Sequence, residues 1–273
     1  MLKEWSLVAF TVLGQMAVGL FILGATPFLP IYEVPGFDPG GFLALLASVL
    51  GLLAVAALIS FLHLRHPLKA VRALANFRTS WLSREIFFEL LFMALVAVEL
   101  VMVWAGATLT FLWIVHITAG LAGVLFLLSM IKIYMLEALP GWNQAATPLS
   151  FVSASLSLGA LTAGGINGSS EFYFLAILFV FADLVISLLY APGHGFLVRR
   201  AGEAIRPPAM LSRGLYFAGL GIEATGLALL VWAFLLLDRL YEAVPMIAVF
   251  GLILGGIVIR RFLFYGLAVR PGR

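Results

Sequence analysis

The stretch IFFELLFMALVAVELVMVWAGATLTFLWIVHITAGLAGVLFLLSMI, from Ile86 to Ile131, decides the fold. It holds no Lys or Arg, and its only acids are Glu89 and Glu99. A helix rising 1.5 Å per residue needs about 20 apolar residues to cross roughly 30 Å of hydrocarbon, so this stretch accommodates two spans back to back. Working outward, Leu7 to Tyr32 carries no charge at all. Across the 273 residues, apolar types make up 63% and charged ones 11%, against about 25% charged in a soluble domain. Mean hydropathy is +1.14. The expectation is an all-α polytopic membrane protein, a single transmembrane domain over residues 1–273 of about eight spans. Only short loops remain, which leaves no room for a soluble catalytic domain.

The spans are expected at Glu4–Phe28, Phe42–Leu64, Ser80–Trp104, Leu109–Met135, Thr147–Gly164, Phe172–Ala191, Leu211–Leu237 and Val244–Leu267. Pro and Gly mark most of the breaks: Pro30, Pro35 and Pro39-Gly40, then Pro67, Pro140-Gly141, Asn167-Gly168 and Pro207-Pro208. The fifth span is short and rich in Ser and Gly, a composition suited to close helix packing. The first is too long for the apolar core of a cleavable signal. With eight spans, fifteen of the 16 Lys and Arg fall on the face that carries both termini; only Arg239 lies opposite. Such a bias marks the cytoplasmic side of an inner membrane, and it also suits an acidic partner subunit. The pI near 9.4 follows from these loops and does not call for nucleic acid. Absence of cysteine excludes thiolate zinc and any iron–sulfur cluster carried by this chain.

Chemistry-bearing residues concentrate in the second loop and its flanking helix ends. His63, Arg65, His66, Lys69, Arg72, Arg78, Arg84 and Glu85 lie within one short segment. Glu85 has two readings. A Glu in the first helical turn is favoured by the helix dipole, with Ser83 as a cap. Alternatively, His63 and Glu85 form a proton-handling pair at the membrane interface. Thr11 and Gln15 share a helix face near the same surface, as do Arg261 and Tyr265. Trp142 and Tyr265 fit an aromatic belt, and Arg261 a snorkelling side chain. Asp183, Glu223 and Glu89 sit deeper and suggest buried polar contacts or a proton path. Glu99 is expected near the opposite interface. His116 has no second histidine at matching depth, which argues against a b-type haem.

At these residues the chain resembles the membrane anchor subunit of dimethyl sulfoxide reductase, the DmsC family. The matching pieces are Glu4-Trp5 through Phe10-Thr11 to Gly14-Gln15, His63-Leu64 with Pro67, Lys69-Ala70 and Asn76, and Leu82-Ser83 with Glu85-Ile86. Tyr134, Trp142 and Thr147-Pro148 follow, then Arg261 with Phe264-Tyr265-Gly266. Each piece is short, but together they run through nearly the whole chain in the family's order. The resemblance implies eight spans, a site for menaquinol or ubiquinol, no haem, and partners consisting of a four-cluster iron–sulfur subunit and a molybdopterin catalytic subunit. It places the family's functional His at His63 and its Glu at Glu85. Gln15, Arg84 and Tyr134 are expected to orient the quinone ring, while Arg65, Lys69, Arg72 and Arg78 dock the partner. Two positions depart from the family pattern: Ile257 stands where a Glu is common in the last span, and His66 where a small residue is common. Sulfite-oxidising complexes use relatives of this fold in the reverse direction. Two other readings stand beside it, a secondary transporter using Asp183 and Glu223, and a purely structural anchor.

Overall fold

A computed structural model describes residues 5–33, 39–63, 76–136, 142–200, 209–236 and 243–266. Eight helices follow one another. Helix α1, Trp5–Gly19, continues through a π-helical turn, Leu20–Ala25, into a 3-10 turn, Thr26–Ile31. Then come α2 Gly40–His63, α3 Trp81–Trp104, α4 Leu109–Tyr134, α5 Ala146–Asn167, α6 Ser170–Arg200, α7 Ala209–Leu236 and α8 Ala243–Gly266. Among the described residues there are eight helices long and apolar enough to cross a membrane, and no strand. Hydrocarbon offers the backbone no hydrogen-bond partners, so a spanning segment must satisfy its own, and a helix does so.

Consecutive helices pack as neighbours, and α1 and α5 are wedged inside the bundle. Within the most apolar window, 72% of the first span and 61% of the fifth are buried, against 28–39% for the others. The Ser- and Gly-rich sequence of α5 is what admits this. A Cβ on Gly19 would lie 1.8 Å from the Ser155 carbonyl oxygen, and one on Gly159 would lie 2.2 Å from the Gly19 carbonyl carbon. The two backbones therefore touch. Ser155 Oγ donates to the Gln15 carbonyl at 2.7 Å and fixes the rotation of α1 about the contact. A second close crossing joins α7 to α8, where a Cβ on Gly256 would lie 2.6 Å from the Gly219 carbonyl oxygen. In lipid, where apolar surface is buried either way, such approach is a main source of helix association.

Three local details depart from expectation. The first span does not remain α-helical to Phe28, because Pro27 and Pro30 lack the N–H that an α-turn requires. The Thr26 N–H instead reaches back five residues to the Phe21 carbonyl, and the chain unwinds through a π-turn. The helix of the sixth span runs on to Arg200, beyond the expected end at Ala191. The cap of α3 is Ser80, whose Oγ accepts from the Ser83 N–H at 3.3 Å; Ser83 is the donor there and not the cap.

Replacing Gly159 by Val is expected to lower stability by about 1–3 kcal/mol, since the α1 backbone occupies the space. Gly51→Ala, with nothing within 4 Å, should be neutral or slightly stabilising. Thermal unfolding of the two variants in detergent checks this; an unchanged Gly159→Val melting temperature would refute the backbone contact.

Candidate functional site

The end of the bundle that carries the start of α1 and the end of α8 gathers polar side chains from four helices and an aromatic ring from a fifth. Gln15, fully buried on α1, accepts a hydrogen bond at Oε1 from Arg261 Nη2 of α8 at 3.0 Å. Its Nε2 faces Met130 Sδ of α4 at 3.6 Å. One turn back, Thr11 Oγ1 accepts from the Tyr265 hydroxyl at 2.9 Å. The Arg261 guanidinium lies 3.9 Å over the Phe151 ring of α5. Tyr134 sits in an aromatic box with Trp142, Phe151, Phe264 and Tyr265, ring centroids 5.1–5.8 Å apart. Trp142 Nε1 donates to the Phe264 carbonyl at 2.8 Å.

Two acids complete this centre. Glu85 and Glu89 stand one turn apart on α3 with 4% and 6% of their surface exposed. Each keeps its Oε1 buried and without a hydrogen-bond partner among the described residues. Glu85 lies within electrostatic reach of both Tyr134 and Tyr265. A buried polar atom left unpaired is costly, by roughly 1–3 kcal/mol on mutational scales. Glu85 is thus inside the bundle and not at its surface.

Several expected placements change. Arg84 does not join the centre: its Nε and Nη2 donate to the carbonyls of Phe77 at 3.0 Å and Arg78 at 2.7 Å. Its guanidinium stacks 4.2 Å from the Trp81 ring, so it ties down its own loop. Arg261 does not snorkel and Tyr265 is not a belt residue, for both are buried; Trp142 is half-buried. Arg78 is exposed at the surface. His63 is the final residue of α2, which packs on α3, and is described by its backbone alone. Arg65, His66, Lys69 and Arg72 lie outside the described residues.

A second centre lies beside the first. Arg260 Nη2 pairs with Asp183 Oδ2 at 2.5 Å and with Glu223 Oε2, while its Nη1 meets Ser187 Oγ. Ser153 Oγ donates to Asp183. The two acids of the transporter reading therefore share one arginine as counter-ion. The charge pattern of the sequence puts Arg260 on the outer basic face, and the structure moves it inside. The available signal was its place after the uncharged run Met246 to Ile259, opposite two buried acids that needed a cation. A third cluster lies in the opposite half. Glu99, fully buried, meets His116 Nδ1 at 2.7 Å, and His116 Nε2 meets Thr26 Oγ1 at 2.9 Å. Phe21 stacks on the imidazole at 4.4 Å, brought there by the π-turn. Glu99 is therefore an internal partner and not an interfacial bystander.

Comparison with known proteins adds a family. Residues 1–267 match the family described as DMSO reductase anchor subunit (DmsC). The protein is 28% identical to the corresponding polypeptide of the anaerobic dimethyl sulfoxide reductase of Escherichia coli K12, over 98% of this sequence and 96% of that one. The YnfH polypeptide, named for an anaerobic dimethyl sulfoxide reductase of the same organism, is also 28% identical, with the same coverage. Over a shorter stretch, 34% of this sequence and 29% of the relative, it is 37% identical to one of the sulfite dehydrogenase subunits of Allochromatium vinosum.

Removing the Tyr265 hydroxyl (Tyr265→Phe) should cost about 1 kcal/mol, the usual size of a polar contact between spans. Glu99→Ala should cost more, about 1–3 kcal/mol, because it strands the His116 ring nitrogen in the bundle. Glu99→Gln, which keeps an acceptor, should recover most of that loss. Detergent melting curves decide it: equal losses for the Ala and Gln variants would show that the imidazole contact is not what matters.

Proposed function

This chain belongs to the DMSO reductase anchor subunit family, and from that premise we propose that its buried polar centre oxidises a membrane quinol on behalf of the complex. Membership makes it the multi-pass anchor that associates with the catalytic and iron–sulfur subunits of a dimethyl sulfoxide reductase-like complex. The finer reading concerns what the anchor does. The observation that carries it is the pair of buried carboxyl oxygens of Glu85 and Glu89, unpartnered among the described residues, with Glu85 within electrostatic reach of Tyr134 and Tyr265.

Oxidation of a quinol to a quinone releases two electrons and two protons. A site for it therefore needs hydrogen-bonding groups at the ring oxygens, an acceptor for the protons and a short path for the electrons. Glu85 receives a proton, with Glu89 one turn deeper as the next carboxyl. His63, at the end of α2 beside the start of α3, hydrogen-bonds a ring oxygen. Gln15 and Tyr134 orient the ring, Gln15 being held in place by Arg261. The electrons pass to a four-cluster iron–sulfur subunit docked on the basic face, and from there to a molybdopterin subunit. The charge bias puts that face in the cytoplasm of a cell whose inner membrane holds the chain. Menaquinol and ubiquinol both suit the site. The partners' potentials set the direction, and the likeness to a sulfite dehydrogenase subunit makes reverse flow, with quinone reduced, equally compatible.

In the assembled complex, Glu85→Gln and His63→Ala should each lower quinol-dependent turnover by at least ~100-fold, the usual contribution of a positioned acid or base. Copurification of the partner subunits and their activity with an artificial electron donor should stay intact. Normal quinol turnover in both variants would sink the assignment.

A further inference from the structure

Arg261 is a buried cation with no acid of its own. It is 5% exposed, and the ion pairs among the described residues belong to His116 and Arg260. Its hydrogen bond there runs from Nη2 to the neutral amide of Gln15, with the Phe151 ring against the guanidinium. A guanidinium offers five N–H donors, so most of this capacity is left over. A charge inside a bundle is costly unless it is paired. Arg260 is in the opposite position, for Asp183, Glu223 and Ser187 take up both of its Nη atoms.

Arg261 lines a cavity of about 100 Å³ between α5, α6, α7 and α8. The wall carries two guanidinium groups, Arg260 and Arg261, against one carboxylate, Asp183. Both oxygens of that carboxylate are engaged, one by Ser153 and the other by Arg260. Glu223, the second acid held by Arg260, is not on the wall. The wall is therefore net positive and suits an anion. Its size excludes a ring, since a benzene site takes ~150 Å³; scaled by heavy atoms, about four or five fit, the size of a phosphate group. Depth points the same way. Arg261 lies one turn from the end of the last span, Met246–Tyr265, and Gln144 on the same wall precedes the start of α5. Phospholipid phosphates lie at this level, and basic pockets between spans bind them, an arginine fork being well matched to their oxygens. Gln144, Tyr190 and Tyr216 on the wall are only partly buried, so the cavity is reachable from outside.

We infer that the cavity between α5, α6, α7 and α8 is a seat for one phosphate-type oxyanion, with Arg261 as its counter-ion. The seat is separate from the Glu85 centre and does not depend on what that centre does. One nitrogen of Arg261 holds Gln15 and the others hold the anion, so an occupied seat fixes the arginine from both sides. The headgroup of an anionic phospholipid and free inorganic phosphate share this chemistry.

The test uses the assembled complex, purified in detergent and washed free of bulk lipid. Native mass spectrometry after addition of phosphatidylglycerol counts the lipid retained. Melting in inorganic phosphate, against chloride at equal ionic strength, reads the free anion. Ile257 lines the cavity four residues before Arg261, on the same face of α8. Ile257→Glu therefore sets a carboxylate beside the arginine and should displace the ligand, whereas Ile257→Leu keeps the volume and should retain it. The expected result is one phosphatidylglycerol held by the wild type and by Ile257→Leu, with retention at least tenfold lower in Ile257→Glu. If no lipid is held, a melting temperature raised by inorganic phosphate in the wild type and unmoved in Ile257→Glu supports the seat and makes the free anion its occupant. Neither effect in the wild-type complex would overturn the seat, as would equal responses in the wild type and Ile257→Glu. Should Ile257→Glu fail to assemble, Ser150→Phe, which fills the cavity without changing its charge, takes its place with the same expected loss.

Discussion

The backbone contact of α1 with α5 sets the geometry on which the polar interior depends. With Gly19 seated on the Ser155 carbonyl and Gly159 seated on Gly19, the axes approach as closely as two helices can. The Ser155 hydroxyl then fixes how α1 is turned, by holding the Gln15 carbonyl. That rotation carries the Gln15 side chain toward Arg261 and Thr11 toward Tyr265. In this fold the polar centre is a consequence of small residues placed elsewhere. A bulkier residue at Gly19 or Gly159 would disturb Gln15 without touching it.

Arg260 and Arg261 perform a second division of labour. Consecutive residues on a helix point about 100° apart, so the pair cannot serve one site. Arg261 turns to Gln15 and the Phe151 ring, and Arg260 to Asp183 and Glu223. Each cation is inside the bundle with partners around it, as a charge at that depth requires. The contrast with Glu85 and Glu89 is chemical. The deeper acids of α6 and α7 are tied to an arginine, which makes them structural. The acids at the head of α3 have no cation paired with them among the described residues, whereas Asp183 and Glu223 share Arg260.

The interruption in α1 has a comparable role in the other half of the bundle. Pro27 and Pro30 remove two backbone donors and the helix unwinds into π and 3-10 turns. The rearranged segment offers Phe21 as a stacking surface and the Thr26 hydroxyl as a partner for His116. Glu99 takes the other ring nitrogen. Both nitrogens of this deep histidine are thereby engaged by the protein's own groups.

Much of this was legible in the chain itself. Uncharged runs such as Leu7 to Tyr32 fix the number and length of spans, because hydrocarbon thickness is a constant and the backbone in lipid has little choice but helix. The order of short motifs, from Gln15 through Glu85 to Tyr265, identified the family and the end of the bundle where its polar residues meet. Direction within that end was not legible. Whether Arg84 faces Glu85 or its own loop, whether Arg261 reaches headgroups or Gln15, and whether Asp183 and Glu223 stand apart or share Arg260 all depend on helix rotation and pairing. Local periodicity carries little of that information in helices apolar on every side. Rotation is set instead by contacts between residues more than a hundred positions apart, such as Ser155 with Gln15 and Arg261 with Gln15, and only the packed bundle brings them together.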